Sequence, residues 1–345
     1  MKKEKYDIVD LLKLFAPGTS IRASLEDLMR ARMGALIVVD KGSLLSIVEG
    51  GFKVNSKFSQ QKLVELAKMD GAIILSEDMK KILYVNTLLS PDIHINTKET
   101  GTRHKAAERT AKQMKTIVMA VSERKNKITL YWGGLRYELE ESSEILRRAT
   151  ETLQILENQK EILDELFANL NLLEMGDIVT MSAVCEVLQR LEMIRRISEI
   201  VKRYLIELGK EGIIVSMRLK ELIKNLGKER ELVLKDYFDL NYLDMDDSLK
   251  NLNFDFLLET GNLSKTLFGE IHDERITPRG IRFLSKTNLP EQEFSLIFNS
   301  FINLNDLFKT DRESLLKILK EEKIVDSLEK DLVNLKKKII EGKKF

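Results

Sequence analysis

Two short stretches hold residues that could do chemistry. In KMDGAIIL, Asp70 and Gly71 stand where a helical pattern gives way to an apolar, strand-like run. A carboxylate there can bind a hard divalent cation such as Mg2+ or Mn2+ and can help deprotonate a hydroxyl nucleophile. Gly71 permits close backbone approach to a ligand. An Asp at such a junction is also an ordinary turn residue, and the motif alone does not separate the two readings. In TGTRHKAAER, Arg103, His104 and Lys105 fall in the first turn of a helix capped by Thr102 or a neighbour. Each exposed cation there opposes the helix dipole by roughly a few tenths of a kcal/mol. A bound phosphate reverses that sign, because it meets backbone N–H groups, dipole and side chains together. A solvated basic surface is the plainer alternative; a triphosphate is the natural ligand. Glu108, one turn on, is expected to pair structurally with Arg109 or another nearby cation.

The elements that must carry these residues differ along the chain. Up to about residue 140, strand-like runs (35–40, 72–76, 81–86, 116–121, 127–132) alternate with helical patterns at 59–69 and 106–115. That alternation predicts an α/β domain with its sheet covered by helices. Gly133-Gly134 marks a hairpin, and Gly50-Gly51 reads as a turn without a phosphate signature. Beyond residue 141 the apolar period becomes helical. Ile145, Ala149, Leu153, Leu156, Leu163, Leu166, Leu170 and Leu173 trace one long helix, and Val184 to Leu205 a second that stops at Gly209 and Gly212. Such helices form either a bundle or an oligomer-forming spine. Pro278, Gly280 and Pro290 break the pattern and mark a boundary; three or four short helices are expected after residue 285.

Composition narrows the function. The 345 residues suggest two or three domains. The net charge of +1 gives no global field toward nucleic acid or membrane. A single cysteine, Cys185, excludes an intramolecular disulfide and reads as a core thiol. The first residues read as an amphipathic helix rather than a signal peptide, and no apolar run is long enough to span a bilayer. A soluble, cytoplasmic protein is expected. A Walker A pattern, a dinucleotide-binding glycine fingerprint and a serine-hydrolase elbow are absent, and one cysteine with three histidines argues against zinc. The residues by themselves reach a phosphoanhydride-binding, metal-assisted α/β domain.

MDGAIILS followed by TGTRHKAAERTA resembles the diadenylate cyclase domain, and GALIVVD, EGGFKVNSKFS and NTLLSPD are similar to the same domain. DIVTMSAVCEVLQRLEMIRRISEIVKRYLIELGKEG and TPRGIRFLSKTNLP resemble the helical middle region and the C-terminal start of the DNA integrity scanning family. The resemblance implies a mixed sheet flanked by helices over 1–140, an all-α spine over 141–275, and a small helix-hairpin-helix-like domain over 276–345. It implies condensation of two ATP molecules into cyclic di-AMP with release of two pyrophosphates. Tuning by branched or damaged DNA, an octamer with facing cyclase domains and possible nucleoid association follow from the same resemblance. Asp70 is then implied as metal ligand and catalytic residue, with Arg103 and His104 also catalytic. Gly71, Ala72, Leu89, Thr102, Arg103, His104, Lys105 and Ser122 are implied as the ATP contacts. The alternative is a DNA-scanning protein whose nucleotide site is only regulatory.

Two departures from the family pattern stand out. Lys105 occupies a position usually held by Arg, keeping the charge and losing bidentate geometry. In KEEKIVDSLEKDL, Lys323 and Val325 fall on the two hairpin-glycine positions, and residues 306–328 contain no glycine. Residues 285–345 carry 12 Lys or Arg against 11 Asp or Glu, little support for phosphate binding beyond the Lys336, Lys337, Lys338 cluster. Weakened DNA binding is expected.

Overall fold

The structure is a computed structural model and describes residues 8–269, 274–301 and 303–342. The start of the expected N-terminal helix therefore lies outside the described residues, as do parts of the 276–345 region. The chain divides into two compact units, one of residues 1–150 with 202–216, the other of 151–201 with 217–345.

The first unit is built on a mixed sheet: β1 (Ala35–Val39), β2 (Val48–Glu49), β3 (Phe52–Lys57), β4 (Ala72–Leu75), β5 (Lys81–Leu89), β6 (Ile117–Ser122), β7 (Lys127–Trp132) and β8 (Leu135–Leu139). The order is β2-β5-β4-β1-β6-β7-β8, with β3 also on β5. Only β1 and β4 run parallel among these pairs. All five residues of β1 are buried, as in a central strand covered on both faces. One face packs on α1 (Ile8–Leu14), α2 (Ser20–Arg30) and α3 (Gln60–Leu66) through Leu11, Phe15, Leu25, Leu28 and Leu63. The other receives α4 (Thr102–Met114), whose Ala107 and Ala111 meet Leu36, Val38, Ile74, Val118 and Ala120. Alanine at these positions lets the helix lie close to the strands.

The expected strands all form, and the β7–β8 hairpin turns at Gly133, with φ +56°. The sequence reading did not assign β2 and β3. Both are polar, half-exposed strands with weak periodicity, joined by Gly50 and Gly51 at φ +64° and +74°. A side chain on Gly51 would come within 2.6 Å of the Val85 carbonyl oxygen, so this turn needs glycine for space as well as for φ.

The helical region carries α5 (Ser142–Gly176), α6 (Met181–Leu208), α7 (Ile213–Leu222), α8 (Leu226–Phe238), α9 (Tyr242–Asn251), α10 (Phe254–Leu258) and α11 (Thr260–Phe268). The stripes read from the sequence are the buried faces: Leu156, Leu163 and Leu170 on α5, Val184, Leu188 and Leu191 on α6. Cys185 is fully buried beside them. Within the second unit, Glu192 is buried and gathers Arg195, Arg196 and Arg230. Burial works against its charge, but three arginine hydrogen bonds outweigh it and bring the carboxyl down to about 2.

α12 (Ile281–Leu284), α13 (Glu291–Ser300), α14 (Leu304–Lys309), α15 (Arg312–Leu319) and α16 (Glu322–Ile340) complete the chain. Among the described residues, four helices follow residue 285, as expected, although α16 is long. They share one core of Phe283, Ile297, Leu304, Leu315, Leu319, Val325, Leu328 and Leu332. Asp236 fastens the start of α12 to α8: its carboxylate accepts the Ile281 N–H at 2.6 Å and the Arg282 N–H at 3.0 Å. Buried Arg282 donates to buried Glu174, which also accepts from the Tyr237 hydroxyl at 2.6 Å.

A cleft at one edge of the sheet

Strand direction and register bring the first-unit candidates to one edge. The N-terminal ends of the parallel strands β1 and β4 lie there, with the C-terminal ends of their antiparallel neighbours β6 and β5. Ala35 stands opposite Val121, Leu36 opposite Ala72, and Ala72 opposite Thr87. Gly71 precedes β4 at φ +90°, and a Cβ there would lie 2.8 Å from the Thr87 carbonyl oxygen. Its freedom is therefore spent on approach to β5 as well as on the turn. Thr87 Oγ1 donates to the Ala72 carbonyl at 2.9 Å and pins the turn from the other side.

α4 points its first turn at the same edge. Gly101 is its N-cap, in extended conformation at φ −81° and ψ 144°, and supplies no side-chain cap. The Lys105 N–H closes the turn on the Gly101 carbonyl at 2.9 Å. The first turn contains no acidic residue of its own, so the nearest counter-charge to His104 comes from outside the helix, at Glu99. Glu108, a turn later, accepts from Lys112 at 2.6 Å, from the Lys98 N–H at 3.2 Å and from the Thr97 hydroxyl. Burial raises its carboxyl and these donors more than offset the effect, holding it below the usual range. Its structural role is as expected, with Lys112 as the cation; Arg109 instead donates to the Ile95 carbonyl at 3.0 Å.

Between these elements opens a cleft of about 760 Å³, within the range of small-ligand sites. Gly71, Ala72, Leu89, Thr102, Arg103, His104 and Ser122 line it. Asp70 and Lys105 are not among its lining residues. Asp70 is exposed and has no hydrogen bond or ion pair among the described residues; Lys105 is half-buried. Leu36, Thr87, Leu88 and Arg124 also line the cleft and were not found from the sequence. Only strand register brings the first three there, and Arg124 sits in the β6–β7 turn, where a cation carries no motif. An adjoining hollow of about 180 Å³ shares Thr100, Gly101, His104, Ser122 and Arg124.

His104 stands between the two spaces. Burial lowers its pKa below 6.5; Glu99 opposes this, and Arg103, Lys125 and Arg136 reinforce it. The imidazole is thus mainly neutral at pH 7. Glu99 Oε1 is itself held by the Tyr131 hydroxyl at 2.8 Å and Arg136 Nε at 2.6 Å. Burial raises the Glu99 carboxyl, but these two donors bring it below its ordinary value.

Residues 22–135 match the family described as DisA bacterial checkpoint controller nucleotide-binding, and residues 139–272 match the DisA bacterial checkpoint controller linker region. The DNA integrity scanning protein DisA of Acetivibrio thermocellus is 42% identical over 91% of this chain and 90% of its own. That of Clostridium kluyveri is 43% identical over 91% of each. The chain belongs to the DisA family. A crystal structure of DacA from Staphylococcus aureus covers 38% of this chain and 88% of its own at 26% identity, with a TM-score of 0.31, a likeness too slight to carry weight. DisA membership makes this a diadenylate-cyclase-type protein with an N-terminal nucleotide-binding domain. Among the described residues, no helix is long and apolar enough to cross a membrane.

The C-terminal helices put the α15–α16 turn ahead of the two residues that fall on the family's glycine positions. The turn between α15 and α16 falls at Lys320, the residue with φ +61°. Lys323 and Val325 are already inside α16, and Val325 is fully buried in the core. Neither lies in that turn. Lys336, Lys337 and Lys338 lie near the C-terminal end of α16, where cations suit the helix dipole. The Lys336 ammonium lies 4.3 Å from the centre of the Phe308 ring.

Proposed function

We propose that this protein is a metal-dependent diadenylate cyclase, joining two ATP molecules into cyclic di-AMP and releasing two pyrophosphates. The observation that carries the reading is the cleft itself. The Gly71-Ala72 turn and the acid-free first turn of α4, with Arg103 and His104, converge there on one sheet edge. In each half-reaction a ribose 3′-oxygen forms a bond to the α-phosphorus of the other ATP, the bond to the pyrophosphate oxygen breaks, and the hydroxyl proton leaves.

Thr102, Arg103 and His104 hold phosphate oxygens and offset the charge that grows on the leaving pyrophosphate. Leu89 and Ser122 flank the base, with Gly71 and Ala72 as the floor. Lys105 adds long-range charge from outside the cleft wall. Asp70 assists the 3′-hydroxyl. Among the described residues, no group of three or more His, Cys, Asp or Glu could hold a metal ion. An unpaired, exposed Asp70 nevertheless suits Mg2+ or Mn2+, which bind through one or two carboxylates and substrate phosphates. The ion would supply Lewis-acid charge at the phosphates.

One cleft holds one of the two reacting nucleotides, so the reaction needs a second copy facing the first, as in an octamer of paired cyclase domains. Positioning then supplies much of the rate. DNA regulation through residues 276–345 belongs to the same reading, weakened by a turn that carries Lys320 and no glycine. The test is incubation with ATP and Mg2+ or Mn2+, with cyclic di-AMP as readout and Asp70→Asn as control. No product from the wild type overturns the cyclase reading; equal product from both removes the role given to Asp70.

A further inference from the structure

Gly34 immediately precedes β1, one residue before the Ala35–Val121 pair. It lies outside the left-handed region, so its backbone does not demand glycine. What demands glycine is space. A Cβ built on Gly34 would overlap Arg103 Nη1 and lie 2.8 Å from Arg103 Cζ and 3.1 Å from Nη2. The three nearest atoms are all from that one guanidinium. The contrast with Gly71 is informative, since the nearest neighbours of a Cβ at Gly71 are β5 backbone atoms that cannot move.

We propose that Gly34 is a positioning residue for Arg103: the missing side chain at the head of β1 is the seat of its guanidinium. The Arg103 side chain has no hydrogen bond or ion pair among the described residues. No carboxylate fixes its direction, and its position rests on packing against this bare stretch of backbone. A methyl group at Gly34 leaves the fold intact, because a flexible side-chain end can swing away. The same movement takes the cation from the place where a nucleotide's phosphates would meet it. Displacements of about 1 Å at a reacting site cost up to about 100-fold in rate.

The inference rests on the nucleotide-site reading above, and its test separates the two. Wild type, Gly34→Ala, Arg103→Ala and the double variant are titrated with ATP and Mg2+ by calorimetry. Cyclic di-AMP formation and thermal midpoints are followed in parallel. Gly34→Ala is expected to melt within a few degrees of wild type and to bind ATP about 10-fold more weakly. Adding it to Arg103→Ala is expected to change nothing further, because the group it displaces is already gone. A merely structural role would instead give losses that multiply in the double variant, and that result overturns the proposal. Wild-type affinity in Gly34→Ala overturns it, as does an unfolded Gly34→Ala protein. ATP binding with the expected pattern but no product from wild type leaves the Gly34 inference standing and removes the cyclase reading. No ATP binding by wild type removes both.

Discussion

Thr87 Oγ1 donates a 2.9 Å hydrogen bond to the Ala72 carbonyl, directly across the β4–β5 pair from the turn that holds Asp70 and Gly71. Thr87 is buried, so the bond is not shared with bulk water. Thr87→Val should cost about 1 kcal/mol of stability and loosen the turn, lowering ATP affinity more than the melting point suggests. Gly71→Ala should be harsher. It combines positive φ with a 2.8 Å approach to backbone, and roughly 1–3 kcal/mol of strain is expected. Denaturant unfolding and ATP titration of both variants check this; a Gly71→Ala protein as stable as wild type contradicts it.

His104 gives a pH dependence with a definite sign. In the free protein its pKa lies below 6.5, chiefly through burial. A triphosphate beside it favours the charged imidazolium and raises that pKa. ATP binding then takes up a proton, so affinity should fall as pH rises through the window between the free and bound values. Histidine NMR titration with and without ATP reads both. An unchanged or lowered pKa on binding would show that His104 does not meet the phosphates.

Arg103 lines the cleft and Lys105 does not. Arg103→Ala should therefore weaken ATP binding by about 10-fold or more, as expected for a charge-assisted contact. Lys105→Ala should cost about 3-fold or less at physiological ionic strength, where longer-range charge is screened. Lys105→Arg should leave affinity nearly unchanged. Equal losses at positions 103 and 105 would mean that the helix start rearranges around the nucleotide.

In the helical region, burial and the charge of Glu174 push the Asp236 carboxyl up to about 7, against Arg282 and two backbone N–H groups. The folded value exceeds the ordinary 3.8, so this group's contribution is greatest below about pH 4 and is lost as pH rises to about 7. The loss is of the order of a few kcal/mol. Asp236→Asn should flatten the dependence of unfolding free energy on pH over that window. Hydrogen exchange around residues 279–285 should show the same change locally.

Lys320 holds a left-handed conformation between α15 and α16, at a position that suits glycine. Lys320→Gly should raise stability by roughly 0.5–1 kcal/mol. Wild-type binding to branched DNA, followed by fluorescence anisotropy, should be weak and disappear as salt rises. Tight, salt-resistant binding would mean that these helices contact DNA without the hairpin glycines.

The sequence by itself determined most of the elements and pointed to an anion site. Periodicity placed the sheet before residue 140 and the long helices after it, because a buried face must repeat every two residues in a strand and about every 3.6 in a helix. Charge at the start of α4 pointed to an anion, because local electrostatics depends on neighbours in the chain. Only tertiary structure decided which residues face one another. Leu36, Thr87 and Leu88 reach the cleft through strand register, which joins positions far apart in sequence. Lys105, between two residues that meet in one wall, is turned aside by the helix's 100° step. The α15–α16 turn falls at Lys320 because Val325 is taken into the core, and burial settles where a helix begins. Gly34 matters through an absent methyl group, and no pattern in the sequence shows that an arginine nearly seventy residues later comes to lie upon it.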